Sequence, residues 1–127
     1  RRVLRAERVR QAMLSIALVS RREIARLNRA HLGHAGPTDV ISFAHRATAD
    51  GGPVVGDVYI APEVARENAR AHRVGVREEV ARLVVHGVLH VLGYEHPERD
   101  GRTASAMWRR QERYVSRFLA AGAEGAR

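Results

Sequence analysis

The chain contains neither cysteine nor lysine. Without thiols, disulfide frameworks and thiolate-metal sites are excluded, and a reducing compartment is the consistent setting. No apolar run reaches the roughly 18 to 20 residues that span a bilayer. The basic start also lacks the apolar core of a signal peptide, so a cytoplasmic protein with no membrane partner is expected. Internal repeats, linkers and phosphate-cradling glycine loops are absent from the sequence too. The 127 residues, with 45% hydrophobic content, suffice for one domain over 1–127 with one core and are too few for two ordinary ones.

What the chain has in excess is positive charge. The net charge is +8 and all 22 basic residues are arginine, which points to a polyanionic partner more than to an acidic small molecule. Arginine pairs bidentately with phosphate and stacks on bases. Total exclusion of lysine is also what a GC-rich coding sequence produces, so the sign of the charge carries this argument and the choice of arginine does not.

The chemistry concentrates between Arg82 and His96. His86 and His90 are four apart in a pattern long and apolar enough to be a helix, so both imidazoles leave one face. On a wheel, Val80, Leu83, Val84, Val85, Gly87, Val88, Val91 and Leu92 cover well over half the circumference, which predicts a helix packed on most sides. The polar stripe that remains holds Glu79 and Arg82, then the two histidines, and a cleft is expected there. Gly93 sits where a helix stops. His96 follows, stiffened by Pro97, so a third imidazole can close a three-nitrogen site with one position open. The alternative is core histidines satisfied by backbone carbonyls.

Zinc suits three neutral imidazoles plus water, the arrangement of a catalytic site; nickel, copper and iron fit the same ligands. The spacing matches that of His-Glu-x-x-His metalloproteases, yet Gly87 stands where those enzymes hold their glutamate base. Peptide hydrolysis is disfavoured accordingly. A glycine inside a helix costs about 1 kcal/mol relative to alanine, so either a ligand or another backbone is expected to approach closely at Gly87.

Elsewhere the pattern predicts a basic amphipathic helix over 1–13 and a strand over 14–19. Ser20 with Glu23 forms a capping box opening a helix to about His31, left through Gly33 and Gly36. A strand is predicted over 37–44, where Thr38, Asp39 and Ser42 either line a cleft or serve as strand-start polar residues. A third strand over 54–60 is interrupted by Gly56-Asp57, and Asp57 is a candidate carboxylate behind a metal-bound histidine. Pro62 opens a helix to about Arg73, in which His72 reads as surface or core. After a turn over 97–101 a last helix presents Ala104, Met107, Trp108, Gln111, Val115, Phe118 and Leu119 as a core face, with Met107 a possible floor beneath the metal and 120–127 a frayed tail.

These motifs resemble the YbeY family of bacterial rRNA maturation factors, metal-dependent endoribonucleases acting on single strands. The resemblance runs through Leu27-Asn28, Pro37-Thr38-Asp39-Val40-Ile41-Ser42-Phe43, Gly56-Asp57, the stretch from His86-Gly87 to Gly93-Tyr94 and His96, and Gln111. It implies an α+β fold: a single domain with a small mixed β-sheet packed with helices and a metal site on a central helix. It further implies one Zn2+ per chain on His86, His90 and His96, maturation of the 16S rRNA 3′ end, and ribosome quality control. The implied partners are single-stranded RNA, the small ribosomal subunit and an Era-like GTPase. Two departures stand out. Leu32 occupies the place of the family's substrate-facing arginine, for which Arg29 or Arg46 is the candidate replacement, and Glu95 replaces the usual aspartate. Glu95, beside a ligand, is the candidate general base, a surface role being its alternative. The competing expectation is a non-catalytic ribosome-assembly factor in which a structural zinc holds the fold and the basic surface docks on rRNA.

Overall fold

The computed structural model describes residues 2–45, 53–94 and 101–125. His96, Glu95 and Arg46, and most of the turn expected over 97–101, lie outside the described residues.

A short helix α1 (Arg2–Ala6) leads into strand β1 (Ala12–Leu18), helix α2 (Arg21–Leu27), a π turn (Asn28–Leu32) and strand β2 (Val40–His45). Strand β3 (Val54–Ile60) and helices α3 (Pro62–His72), α4 (Val76–Val91) and α5 (Gly101–Gly125) complete the order. The fold is α+β. Its sheet is mixed and three-stranded, ordered β1-β3-β2, with β1 parallel to β3 from Ala12↔Val54 to Leu18↔Ile60. Strand β2 runs antiparallel to β3 from Val40↔Ile60 to His45↔Val55.

Alternation along β3 decides which layer goes where. Gly56, Val58 and Ile60 are buried and turn towards α4, where Val58, Ile60, Leu83 and Val91 form one core with Ala65 of α3. Residues of opposite parity face the other way: Tyr59, with Ile41 and Phe43 of β2, packs under Ile24 and Leu27 of α2. On its far side α4 meets α5 through Val85, Leu89, Met107, Tyr114 and Val115. Helix α4 is therefore wedged between sheet and α5, as its nearly all-round apolar wheel predicts.

The close approach expected at Gly87 is to the sheet. A Cβ there would lie 2.6 Å from Val58 Cγ1. Gly56 answers it from β3, where a Cβ would strike the Val91 side chain and come within 2.8 Å of the Phe43 carbonyl oxygen.

Several details differ from the sequence pattern. The first helix stops at Ala6, Arg8 turns left-handed with φ 60°, and residues assigned to its continuation pair with β3 instead. Strand pairing outweighs local helix periodicity here. Ser20 does cap α2, accepting from the Glu23 N–H at 3.1 Å, but the Glu23 carboxylate turns to Arg26. The last helix continues to Gly125 rather than fraying at Ala120.

The expected metal site on the central helix is corrected. Among the described residues no group of three or more His, Cys, Asp or Glu side chains is placed to hold a metal ion. Spacing of four brings two imidazoles together on α4, and one turn earlier the same face carries Arg82, a cation. Among the described residues the helix supplies a pair of imidazoles and no third donor beside them. No helix among the described residues is long and apolar enough to cross a membrane.

Candidate functional site

His86 and His90 lie on the last two turns of α4, both half-buried. Their rings meet edge to face, with centroids 4.6 Å apart, and their Nε2 atoms are 3.1 Å apart. The other nitrogen of His86 is held from α5: Nδ1 lies 2.7 Å from Gln111 Oε1. The orientation of that amide follows from its second bond. Gln111 Nε2 donates to Glu112 Oε2 at 3.1 Å, and a carboxylate only accepts, so Oε1 must face the imidazole. His86 Nδ1 then carries the proton and donates, leaving the Nε2 lone pair directed towards His90.

Glu112 is fixed in turn by Arg82, whose Nε and Nη2 reach its two oxygens at 2.9 Å each. This bidentate bond holds the Glu112 carboxyl below the usual range and raises the Arg82 guanidinium. Arg82 also donates to Glu78 at 3.1 Å and lies 3.6 Å from the buried Glu79. A continuous chain thus runs Arg82, Glu112, Gln111, His86, His90.

Beside it opens a cleft of about 420 Å³, lined by Asp39, Val40, His72, Val74, Glu79, Arg82, Leu83, His86, Trp108, Gln111 and Glu112. Asp39 is held there by the Asn68 amide at 3.0 Å. His72 lines the cleft with His86, where the sequence distinguished only surface from core. A larger groove of about 990 Å³ lies between α1, α4 and α5, apolar with Arg2, Arg5, Arg77 and Arg117 around it, and without either histidine.

The remaining site expectations fall elsewhere. Asp57 faces the α2 side of the sheet and pairs with His45 Nε2 at 2.6 Å. Arg29 is exposed in the π turn, whose His31 ring packs edge-on against Phe43 on that same face; it does not line the cleft. Leu32 is 46% exposed. Met107 is buried against Val85 and Leu89, whereas Trp108, expected in the core, is 59% exposed at the cleft. Gln111 and Glu112 were not distinguished as site residues. A signal for Gln111 existed: an amide four residues from both Met107 and Val115, inside an apolar stripe, is buried and so must be hydrogen-bonded.

The imidazole pair suits a zinc ion by donor chemistry and spacing. Two nitrogens each 2.0–2.1 Å from a tetrahedral zinc stand about 3.3 Å apart, close to the observed 3.1 Å. A hydrogen-bonded Nδ1–H on a ligating His is the usual means of fixing its tautomer.

A mixed sheet backed by a buried helix, with paired imidazoles at the helix end beside a polar cleft, defines a small α+β protein with a candidate site on its central helix. The family model described as Endoribonuclease YbeY matches residues 1–119, and the chain belongs to that family. It is 40% identical over 117 residues to Endoribonuclease YbeY of Kineococcus radiotolerans, an alignment covering 86% of this chain and 66% of that protein. The Thermotoga neapolitana protein of the same name is 37% identical over 101 residues, covering 80% and 64%. The chain thus spans about two thirds of the length of these relatives. The solution structure of TM1509 from Thermotoga maritima matches with TM-score 0.67 and 28% identity, over 98% of this chain and 79% of that one.

Proposed function

We propose that the chain is a metal-dependent endoribonuclease that hydrolyses single-stranded RNA during rRNA processing, acting in maturation of the 16S 3′ end and in ribosome quality control. The observation that carries this reading is the His86–His90 pair, with Nε2 atoms 3.1 Å apart and Nδ1 of His86 anchored to Gln111. Family membership and the net charge of +8 support it.

The ligands proposed for one Zn2+ are His86, His90 and His96. When bound, zinc lowers the pKa of its water towards roughly 7 and polarises a phosphodiester oxygen. Gln111 keeps Nδ1 of His86 protonated, so that Nε2 presents its lone pair. Arg29 and Arg46 are proposed to neutralise charge on the RNA, and Glu95 to take the proton. The partners proposed are rRNA in the small ribosomal subunit and an Era-like GTPase, in the cytoplasm.

The test is cleavage of a single-stranded RNA oligonucleotide by zinc-loaded protein beside His90→Ala. Zinc-dependent cutting by the native chain, reduced at least 100-fold in the variant, is expected. Equal trace cleavage in both rejects the nuclease reading. A second reading, a non-catalytic assembly factor docking on rRNA, is favoured by Leu32, an exposed apolar residue where the family resemblance places an arginine. Undiminished binding of rRNA with no zinc-dependent cleavage would select it.

A further inference from the structure

We infer that the cleft beside the histidine pair is a nucleobase subsite, in which Trp108 stacks on the base and the carboxylates of the wall accept from its amino group. This deepens the RNA-cleaving reading and rests on it.

Trp108 is the only tryptophan, and it is 59% exposed while its neighbours Met107 and Gln111 are each 3% exposed. Leaving a large aromatic in water forgoes its burial, and here the ring borders a cleft that also contains His86. The volume, about 420 Å³, is within the range of small-molecule sites. Aromatic rings are the usual platforms for unstacked RNA bases.

The charge of the wall decides which part of a nucleotide enters. Asp39, Glu79 and Glu112 line the cleft against one guanidinium, Arg82. That guanidinium is already engaged by Glu112, Glu78 and Glu79. A phosphate pushed in here meets carboxylates with the local guanidinium already paired, so the uncharged base goes in and the phosphodiester stays at the histidine edge of the cleft, by His86. Carboxylates accept from exocyclic amino groups such as cytosine N4. The wall therefore favours bases that carry one (cytosine, adenine, guanine) over uracil, which has none.

Because Trp108 is the sole indole, its fluorescence reports the subsite directly. Cytidine is expected to quench it saturably in the native chain, uridine to do so at least five-fold more weakly, and ribose 5-phosphate not at all. Trp108→Ala should raise KM for single-stranded RNA about 10-fold or more with kcat within about two-fold, and Trp108→Phe should retain most of the native KM. Equal quenching by cytidine and ribose 5-phosphate, or a native KM in Trp108→Ala, overturns the proposal. Saturable quenching by cytidine in a protein that cuts no RNA with zinc supports the subsite and removes the nuclease reading alone.

Discussion

Gln111 is a polar side chain in the stripe of α5 that otherwise packs on α4, and it is 3% exposed. Its two bonds, to His86 and Glu112, are what make that burial tolerable. Replacing it with leucine keeps the packing and removes the acceptor for His86 Nδ1–H. At the zinc site proposed above, affinity should fall about 10- to 100-fold, the usual cost of losing a group that orients a ligating histidine. A competition titration against a chromophoric chelator measures it, with the thermal midpoint as folding control, and an unchanged affinity in a folded Gln111→Leu protein would show that the bond orients nothing. The histidine spacing was legible because both residues sit on one helix and the period is fixed. Gln111 was harder to read because its partner is 25 residues away and is chosen by how α5 crosses α4. Trp108 was placed on the wrong side for a related reason: its neighbours on the apolar stripe are buried, and only the crossing leaves this ring at the cleft.

At the scale of elements, α4 and β3 are held together by two glycines that let a helix lie unusually close to a strand. The two should not respond alike to an added methyl. At Gly87 the intruding Cβ meets side-chain carbons of Val58 and Val40, and the new alanine recovers about 1 kcal/mol of helix propensity. At Gly56 it meets Val91 and also the backbone oxygen of Phe43, which cannot move without disturbing the β2–β3 ladder. Gly56→Ala should therefore destabilise by about 2–3 kcal/mol, within the range for overpacked cores, and Gly87→Ala by about 0–2 kcal/mol. Urea midpoints give the order, and Gly87→Ala emerging as the more costly would contradict this account of the interface. Most elements were readable from period and punctuation: the third strand over 54–60, the Ser20 cap and the Pro62 start all coincide with strong local signals. The stretch before β1 was not, because arginines at helical spacing look the same whether the chain continues as a helix or turns to pair with a strand more than forty residues away.

For the molecule as a whole, one carboxylate ties the start of the chain to its end. Glu7, whose side chain is 8% exposed, accepts from Tyr94 Oη at 2.6 Å, from Arg110 Nη1 at 2.8 Å and from the Tyr114 hydroxyl. Burial pushes the Glu7 carboxyl up, but the bonds from Tyr114, Tyr94 and Arg110 together outweigh it and hold it below the ordinary 4.5. The folded form thus releases this proton more readily than the unfolded chain. Its contribution to stability is complete above about pH 4.5 and is lost as pH falls through the lower folded value. The same cluster acts at alkaline pH: burial, and then Glu7 itself, raise both phenols above the ordinary 10.0, so their share is present below pH 10 and lost as pH rises through the folded values. Glu7→Gln keeps the shape and removes the charge, and should cost about 1.5–3 kcal/mol at pH 7, the scale of a hydrogen bond to a charged group. Chemical denaturation from pH 7 down to pH 3 measures the difference between native and variant proteins. That difference should hold steady to about pH 4.5 and then narrow, because protonation makes the native Glu7 as neutral as glutamine; a constant difference across the whole range would mean that the ionised carboxylate is not what binds the two ends.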